Sequence, residues 1–517
     1  MTEAVATARV EEDASAGNGP IDYGAGHGIR ASGASRTALA AEAVLAAAVP
    51  GAREKGVFGT TVPWPMVMVH ATLLPDGRVF MNGTRDEKPG QLVFDVWDPR
   101  SGEHMVLPNA TTTDIFCTGQ SVFVGTGKVL LAGGNTNRNG TPNIGIPRTT
   151  TFDPAGNILS PGPSMIYSRW YPSVVPLASG SKLIIGGRET PSIYSPTPEL
   201  VTPDGTWYTL TGAKSDAAFG QTAFNWSYPR AYQMPNDASK VFVLGYNGKM
   251  FLVNPTANGT KGSIIQLPRT TLASNPKLPS AMFAPGKLLS IRNNRQTIVV
   301  DINGAQPTIT KTANMSQVRY YGSETVLADG KVLVTGGSSV GNELSGLAFA
   351  AEVWDPKTGR WTLGASAAQP RLYHSNALLL ADGTVLTGGG GHPGPVTNYN
   401  AEIYYPGYLY DAGGNLASRP TLAGTPATLA PGPGRTFQAS VGSADQIGRV
   451  TLLRAGSATH DNNLEQRFQD LPFMQAGHTL TITTPPNRTY TIPGDYLLFA
   501  FNRQGVPSAA AMLRVPG

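Results

Sequence analysis

Short apolar runs alternate with glycine-rich turns through most of the chain. A phrase recurs: a short apolar strand, a turn with a small residue or Asp-Gly, a basic or polar residue, then a β-rich run that often ends in Gly-Gly. The seven copies of the turn and second run are 76–83, 127–134, 181–187, 239–245, 286–291, 329–337 and 382–389. Runs of this length and composition, bounded by glycines, predict β-strands joined by tight turns.

The spacing of these copies predicts the architecture. Successive turns lie 44 to 58 residues apart, and many units add a third strand that ends near an Asp-Pro or similar turn. A period of about 50 residues with Gly-Gly after the second strand is typical of kelch repeats. Four-stranded units arranged around an axis form a β-propeller, which protects most sheet edges. We therefore predict an all-β fold with a seven-bladed kelch-type β-propeller over residues 56–415.

The two ends of the chain differ from the repeats. Residues 419–434 are rich in Pro and Gly, and residues 435–516 alternate apolar and polar positions in short strands. About 100 residues of this kind predict a C-terminal immunoglobulin-like β-sandwich, which we assign to residues 416–517. Residues 1–55 are rich in Ala, Gly and Ser, and we predict that they form a disordered or processed N-terminal segment.

Composition agrees with this picture and excludes several functions. Of 517 residues, 61 are Gly, 42 are Pro and 14% are charged, which favours a turn-dense β protein over a helical one. The net charge of +5 is small for this length and no Lys/Arg run occurs, so we expect no nucleic-acid partner. No apolar run is long enough to span a membrane, and residues 1–12 lack the pattern of a secretory signal. Rossmann and P-loop motifs are absent from the sequence, which argues against nicotinamide and nucleotide sites.

Three reactive side chains share one phase of the repeat. The position ten residues before the turn is Cys117 in the second copy, Tyr171 in the third and Tyr373 in the seventh. Equal phase in a propeller means equal height and radius, so we expect these side chains and His374 to meet on one face. The sixth copy places Tyr320 in the same phase. The alternative is coincidence, because Tyr and Cys are common strand residues.

Two histidines outside the repeat phase could join this group. His460 lies in a polar segment between C-terminal strands, and His392 follows four glycines. The residues alone leave both open. Two imidazoles together with phenol oxygens suit Cu(II), which favours nitrogen and oxygen ligands. Zinc is less apt, because no His/Cys/Glu cluster has its usual spacing.

Several segments together resemble the copper radical oxidases, a family that includes galactose oxidase and the glyoxal oxidase-like proteins. The segments are 64–77, 114–119, 168–173, 371–375, 388–391, 458–461 and 494–508. The resemblance covers most of the chain beyond residue 60. The Arg-Trp-Tyr-Pro form at 169–172 is closer to the glyoxal oxidase-like branch.

The resemblance implies an oxygen-dependent oxidase with one copper ion and a protein-derived cofactor. That cofactor would be Tyr171 joined to Cys117 by a thioether, with Tyr171 carrying a radical. Tyr373 would be the axial tyrosine and the proton acceptor. The family's C-terminal loop reaches the propeller axis, which selects His460 over His392. The implied copper ligands are Tyr171, Tyr373, His374 and His460.

The family also implies substrates and surroundings. Small aldehydes or primary alcohols would react with dioxygen to give the carboxylic acid or aldehyde and hydrogen peroxide. The family stacks a tryptophan on the crosslinked tyrosine, and Trp170 and Trp226 are the candidates. Because neighbouring strand residues alternate faces, we expect Trp170 to point away from Tyr171.

The expected location is secreted or in the cell envelope, the expected state is a monomer, and a cell-wall glycan is a further candidate partner. The alternative function is a kelch propeller without catalysis that binds glycans or protein partners.

Overall fold

The computed structural model describes residues 29–30, 47–84, 92–138 and 141–517. Within these ranges the chain consists mainly of antiparallel strands, so the predicted all-β class is confirmed. The helical turns are Ala52–Lys55, Thr211–Ala213, Asp216–Phe219, Thr222–Phe224, Ala257–Thr260, Asn293–Arg295 and Gly407–Leu409. No helix among the described residues is long and apolar enough to cross a membrane.

Seven antiparallel sheets follow one another along the described chain, each built from strands that are consecutive in sequence. Sheet 1 contains Val67–Leu73, Val79–Thr84, Val93–Asp98 and Glu103–Pro108, with Ile29–Arg30 outside the last. Sheet 2 contains Gly119–Val122, Val129–Ala132, Thr149–Asp153 and Ile158–Pro161. Sheet 3 contains Trp170–Pro176, Lys182–Thr190, Glu199–Val201 and Trp207–Thr209, with Ile193–Tyr194 paired to the second strand.

The remaining sheets of this region repeat the same order. Sheet 4 contains Arg230–Gln233, Val241–Leu244, Lys249–Asn254 and Ser263–Thr270. Sheet 5 contains Ser280–Ala284, Lys287–Ile291, Thr297–Asp301 and Thr308–Lys311. Sheet 6 contains Ser323–Val326, Val332–Thr335, Ala350–Asp355 and Arg360–Ser366. Sheet 7 contains Ser375–Leu379, Val385–Gly389 and Asn400–Tyr405. A separate hairpin joins Asn135–Arg138 to Thr141–Gly145.

The predicted turns and buried strands explain this repetition. Gly77, Gly330 and Gly383 sit at the Asp-Gly turns with φ between 83° and 86°, a conformation that glycine adopts without steric penalty. The first strand of each sheet is almost entirely buried. First strands of sheets 2, 3 and 4 lie side by side, as do those of sheets 5, 6, 7 and 1. The apolar core therefore lies between neighbouring sheets as well as within them.

Sheet 7 is completed by residues from the other end of the chain. The third strand of sheet 7, Asn400–Tyr405, pairs on its outer side with two short strands. These are Val57–Phe58 and Val62–Pro63. Just before them, Arg53 on the first helical turn donates a hydrogen bond to Tyr410 O at 2.5 Å. Residues 47–55 thus contact the rest of the fold, so the predicted disorder does not extend over them. Residues 1–28 and 31–46, where most of that prediction falls, lie outside the described residues.

The C-terminal region forms two further sheets around its own core. One contains Thr436–Ser440, Thr479–Thr483 and Phe473–Ala476. The other contains Phe468–Leu471, Ile447–Arg454, Gly494–Asn502 and Ala511–Val515. The short strand Ser457–Thr459 leaves this region and pairs with the first strand of sheet 1.

That strand belongs to residues 455–467, which we call the insert loop. All of its residues except His460 are buried. Its hydrogen bonds reach sheets that are far apart in sequence: Thr459 to Val69 O, Asn462 to Ser173, Arg230 to Asp461, Val326 N to Gln466, and Asn376 to Ala458 O. These partners lie in sheets 1, 3, 4, 6 and 7. The insert loop therefore occupies the place where the first strands converge.

Candidate metal centre

The residues predicted to converge do lie together in the structure. Ligand atoms of Cys117, His374 and His460 all fall within 4.8 Å of one another. The hydroxyl groups of Tyr171 and Tyr373 form a hydrogen bond with each other. The ring of Tyr373 stacks on His374 with centroids 3.8 Å apart. Side chains from sheets 2, 3 and 7 and from the insert loop thus form one cluster.

The structure distinguishes His460 from His392. His460 Nε2 lies 3.8 Å from Cys117 Sγ. His392 instead contributes its backbone carbonyl, which accepts a hydrogen bond from His374 Nδ1 at 2.6 Å. The ring of His392 lies 3.3 Å from the Thr397 hydroxyl. His392 therefore supports the cluster from outside, and His460 is the imidazole that enters it.

Hydrogen bonds set the tautomers of both imidazoles. The Thr459 hydroxyl donates to Val69 O at 2.9 Å, so it accepts from His460 Nδ1 at 2.6 Å. His374 Nδ1 donates to a carbonyl, and its buried Nε2 has no hydrogen-bond partner. Each Nε2 then carries a lone pair directed at the cluster. A buried ring nitrogen without a hydrogen-bond partner fits the role of a metal ligand, because a metal ion would bind its lone pair.

Desolvation keeps these imidazoles neutral. Burial lowers the pKa of His374 to about 3. The hydrogen bond to the His392 carbonyl opposes this, and the His392 side chain adds a smaller lowering. Desolvation also holds the pKa of His460 well below its usual value, with His374, His70 and Arg230 adding to the effect. Neutral imidazole is the form that binds metal ions, so both rings are ready to do so at ordinary pH.

Backbone strain concentrates at the cluster. Cys117, Tyr171, His374 and His460 have φ values of 57°, 62°, 67° and 47°, in the left-handed region that non-glycine residues seldom enter. Each such residue costs on the order of 1–3 kcal/mol and persists only where the surroundings enforce it. Strained residues of this kind tend to gather at functional sites, and these four come from distant parts of the sequence. Their presence in one cluster therefore indicates a functional site.

Tyr171 is the most enclosed member of the group. Its side chain is buried, whereas Tyr373 and His460 are partly exposed. Desolvation, and next to it the proximity of Cys117 and of Tyr373, raises the pKa of Tyr171 well above its usual value. Tyr228 packs edge-on against Tyr171 with centroids 4.9 Å apart. The cluster is therefore open to solvent on the Tyr373 side and closed behind Tyr171.

Both candidate tryptophans contact Tyr171, which corrects the expectation for Trp170. Its ring packs edge-on against Tyr171 at 4.1 Å and 77°, because the left-handed backbone at Tyr171 breaks the alternation of faces. Trp226 lies 6.0 Å away, also at 77°. Neither indole is parallel to the phenol ring. The two indoles instead stack on each other, with centroids 6.3 Å apart and planes at 22°.

Three buried ion pairs hold the strands that carry the tyrosines. Arg169 with Glu199, Arg319 with Glu352, and Arg371 with Glu402 have N···O distances of 2.9, 2.8 and 2.9 Å. All six side chains are almost completely buried. The guanidinium groups also donate to carbonyls of the Gly-Gly turns, at Gly186, Gly336 and Gly389. Each pair therefore clamps the segment just before a first strand against its own sheet.

Comparisons with known proteins show which proteins the chain is similar to. Residues 419–515 match the family model described as "Galactose oxidase-like, Early set domain". A galactose oxidase of Gibberella zeae is 28% identical over 502 residues, covering 89% of this chain and 70% of that protein. An aldehyde oxidase of Arabidopsis thaliana is 24% identical over 465 residues, covering 79% of this chain and 73% of that protein.

A solved structure has a similar fold. A solved structure described as a "novel fungal alcohol oxidase with catalytic diversity among the AA5 family, in complex with copper" superimposes with a TM-score of 0.77 at 23% identity. It covers 90% of this chain and all of that one. These similarities support the copper radical oxidase family that the sequence motifs resemble. The resemblance recognised from the sequence motifs is thereby confirmed, and the C-terminal region is a galactose oxidase-like early set domain.

A third tyrosine lies beside Tyr373, one residue after the position that the repeat phase gave. Tyr321, not Tyr320, has the ring beside Tyr373, with centroids 5.1 Å apart and φ of 64°. Counting back from the turn gave a register one residue out, because spacing between the buried arginine and the turn differs between units. The signal that finds it is Arg-x-Tyr: Tyr171, Tyr321 and Tyr373 each follow a buried arginine by two residues.

His70 was missed altogether. It lies on the first strand of sheet 1, opposite Thr459, and its ring centroid is 5.9 Å from that of His460. It is fully buried, and neither ring nitrogen has a hydrogen-bond partner. Burial, with a smaller contribution from His374, lowers its pKa to about 3. Only the pairing of the insert loop with sheet 1 reveals this neighbour, and that pairing leaves no sequence pattern.

Proposed function

We propose that the protein oxidises small aldehydes or primary alcohols with dioxygen, yielding the carboxylic acid or the aldehyde and hydrogen peroxide. The observation that carries this proposal is the convergence of Cys117, Tyr171, Tyr373, His374 and His460 in one cluster. Relatives named galactose oxidase and aldehyde oxidase support the reaction class. Copper is the metal that the family and the nitrogen and oxygen donors support.

The proposed copper ligands are the Nε2 atoms of His374 and His460 and the oxygens of Tyr171 and Tyr373. The orphaned Nε2 of His374 fits a metal ligand, as does the tautomer that Thr459 imposes on His460. The two phenol oxygens already contact each other, so they can turn to a common partner with little movement. When bound, copper would supply a one-electron acceptor and would favour loss of the phenol protons.

Tyr373 is the proposed proton acceptor for the substrate hydroxyl. It is partly exposed, while Tyr171 is enclosed, so a substrate arriving from solvent meets Tyr373 first. Tyr171 is the proposed site of hydrogen-atom abstraction from the substrate carbon. Tyr373, as phenolate, would take one proton and Tyr171, as phenoxyl radical, one hydrogen atom from neighbouring atoms of the same substrate. The one electron that remains would go to the one-electron acceptor that copper would supply.

The proposed cofactor is a thioether between Cys117 and Tyr171. Both belong to one buried cluster, and the Tyr171 backbone N–H donates to Cys117 O at 3.1 Å. Bond formation removes one hydrogen from sulfur and one from the ring, and dioxygen is the oxidant that takes both electrons and protons. An exchange of this kind converts the only cysteine of the chain into part of the redox centre.

The scaffold proposed for this chemistry is a seven-bladed kelch-type propeller over residues 56–415, followed by an immunoglobulin-like sandwich over 416–517. Support comes from the seven consecutive sheets and from the insert loop that bonds to six of them, including sheet 2 through Ser121 and Glu465. We also propose a monomer that is secreted or held in the cell envelope, where a cell-wall glycan could be its neighbour.

The mass of the crosslinked peptide tests the proposal. After copper loading under air, the peptide pair containing Cys117 and Tyr171 should be two hydrogens lighter than the sum, and peroxide should appear with substrate. Comparing glyoxal, glycolaldehyde and galactose then distinguishes the two branches of the family. A free Cys117 thiol and no peroxide with any of them would favour a non-catalytic propeller that binds glycans or proteins.

A further inference from the structure

A cation contacts the two indoles beside Tyr171. The guanidinium carbon of Arg188 lies 4.8 Å from the ring centroid of Trp170 and 4.7 Å from that of Trp226. Arg188 stands on the second strand of sheet 3, directly opposite Trp170 in the strand pairing. Both indoles are about 95% buried, so the cation acts on them in surroundings of low polarity.

Under the proposed function, the two indoles beside Tyr171 are at risk of oxidation. When Tyr171 is oxidised by one electron, an indole in contact with it can give up an electron in turn. That electron would move from the indole to the Tyr171 phenoxyl, leaving an oxidised indole and a reduced phenolate, with no atom transferred. Trp170 is in edge contact with Tyr171 and Trp226 stacks on Trp170, so the path for such a loss is already built.

A neighbouring positive charge opposes this loss. A cation over an aromatic face is attracted to the electron-rich neutral ring and is repelled once that ring becomes a cation. Arg188 is always protonated, so its effect does not vary with pH. Because Arg188 contacts both rings, it makes both Trp170 and Trp226 harder to oxidise.

We propose that Arg188 confines the oxidising equivalent to Tyr171 by making Trp170 and Trp226 harder to oxidise. This inference rests on the proposed function, since it requires an oxidised Tyr171. Arg188 touches neither substrate nor metal in this scheme. Arg188 is a positioning residue that acts through the two indoles. It keeps the oxidised state on Tyr171 and so protects Trp170 and Trp226 from oxidation between turnovers.

The test uses copper-loaded enzyme oxidised with a one-electron reagent such as hexacyanoferrate(III), without substrate. In Arg188→Met the oxidised state should decay about tenfold faster, whereas Arg188→Lys, which keeps the charge, should stay close to the parent. Under dioxygen, peptides with Trp170 or Trp226 from Arg188→Met should gain oxygen in mass spectra. Adding Trp170→Phe and Trp226→Phe to Arg188→Met should restore the lifetime, because phenylalanine is far harder to oxidise.

The outcomes separate the possible roles. If Arg188 only packed the indoles, Arg188→Lys would fail to rescue and no indole oxygen would appear. Unchanged decay in Arg188→Met, with crosslink mass and copper content intact, would overturn the inference. Arg188→Gln, which is shorter but polar, provides the same comparison if the methionine variant folds poorly. Absence of the crosslink in the parent enzyme would instead refute the proposed function, and this inference with it.

Discussion

The imidazole rings of His374 and His460 stand at 90° to each other, with their centroids 4.5 Å apart. One ring is carried by the start of sheet 7 and the other by the insert loop, and each is held through its Nδ1. The pair is therefore oriented before any metal arrives. Pre-orientation of this kind raises affinity because the ligands lose little freedom on binding.

The Thr459 hydroxyl is the part of this arrangement that is simplest to remove. In Thr459→Val, His460 loses its Nδ1 acceptor, and copper affinity should fall about 10- to 100-fold while the fold is retained. Competition titration with a chromophoric chelator measures the change. The matched control is Thr451→Val, which removes another buried hydroxyl-to-carbonyl bond far from the cluster. Equal affinity in the two variants would show that Thr459 does not set the tautomer.

Tyr373→Phe tests the proton acceptor. Without the phenol oxygen, turnover should drop by at least about 100-fold, the usual contribution of general base catalysis, while copper content and the Cys117–Tyr171 crosslink persist. Peroxide release against copper content by metal analysis gives both readings. Tyr496→Phe, which deletes a remote buried hydroxyl, is the control and should turn over normally. Normal turnover in Tyr373→Phe would remove it from this role.

The buried pair of Arg371 and Glu402 should be costly to break. Arg371→Met leaves the Glu402 carboxylate buried without its cation, and such losses typically destabilise a protein by about 3–5 kcal/mol. Chemical denaturation of the metal-free protein measures the change. Arg100→Met removes the solvent-exposed partner of Asp98 and should change stability little. A small effect at Arg371 would mean that the clamp before Tyr373 is not needed for folding.

The neutral histidines predict a pH dependence of the metal-free protein. His70 and His374 have pKa values of about 3 in the folded state, below the usual 6.5, so the unfolded chain binds more protons between these values. Stability is then unaffected above pH 6.5 and falls as the pH drops toward 3, each unit of pKa depression corresponding to about 1.4 kcal/mol.

His70→Gln should make this decline shallower. Denaturation in urea at several pH values compares the variant with the parent. His478→Gln, at an exposed position, should leave the decline unchanged. A slope identical in His70→Gln and the parent would show that His70 is solvated or paired in solution.

Much of this site was accessible from the sequence, for a definite physical reason. Repeats of one sheet place equal phases at equal positions, so Cys117, Tyr171 and Tyr373 could be brought together without any structure. Register within a unit was less secure: one residue of difference moved the position from Tyr320 to Tyr321. Short-range patterns cannot report a local left-handed residue, which is why Trp170 lies against Tyr171 instead of facing away.

Contacts between distant segments were beyond reach of the repeat. His70 meets His460 only because Ser457–Thr459 joins sheet 1, and no periodicity encodes that pairing. The same holds for the strands Val57–Phe58 and Val62–Pro63, which complete sheet 7 from the other end of the chain. The resemblance selected His460 over His392, but their different tasks, ligand and carbonyl acceptor, appear only in the geometry.

The insert loop has a consequence for the life of the molecule. Cys117 and His460 are 343 positions apart, so their encounter requires the early set domain to fold and to push its loop between the sheets. Any chain that is still being synthesised, or that has lost this domain to a protease, has half of the imidazole pair at most. The proposed peroxide-forming chemistry can therefore begin only in a molecule whose C-terminal domain has folded and has brought the insert loop among the sheets.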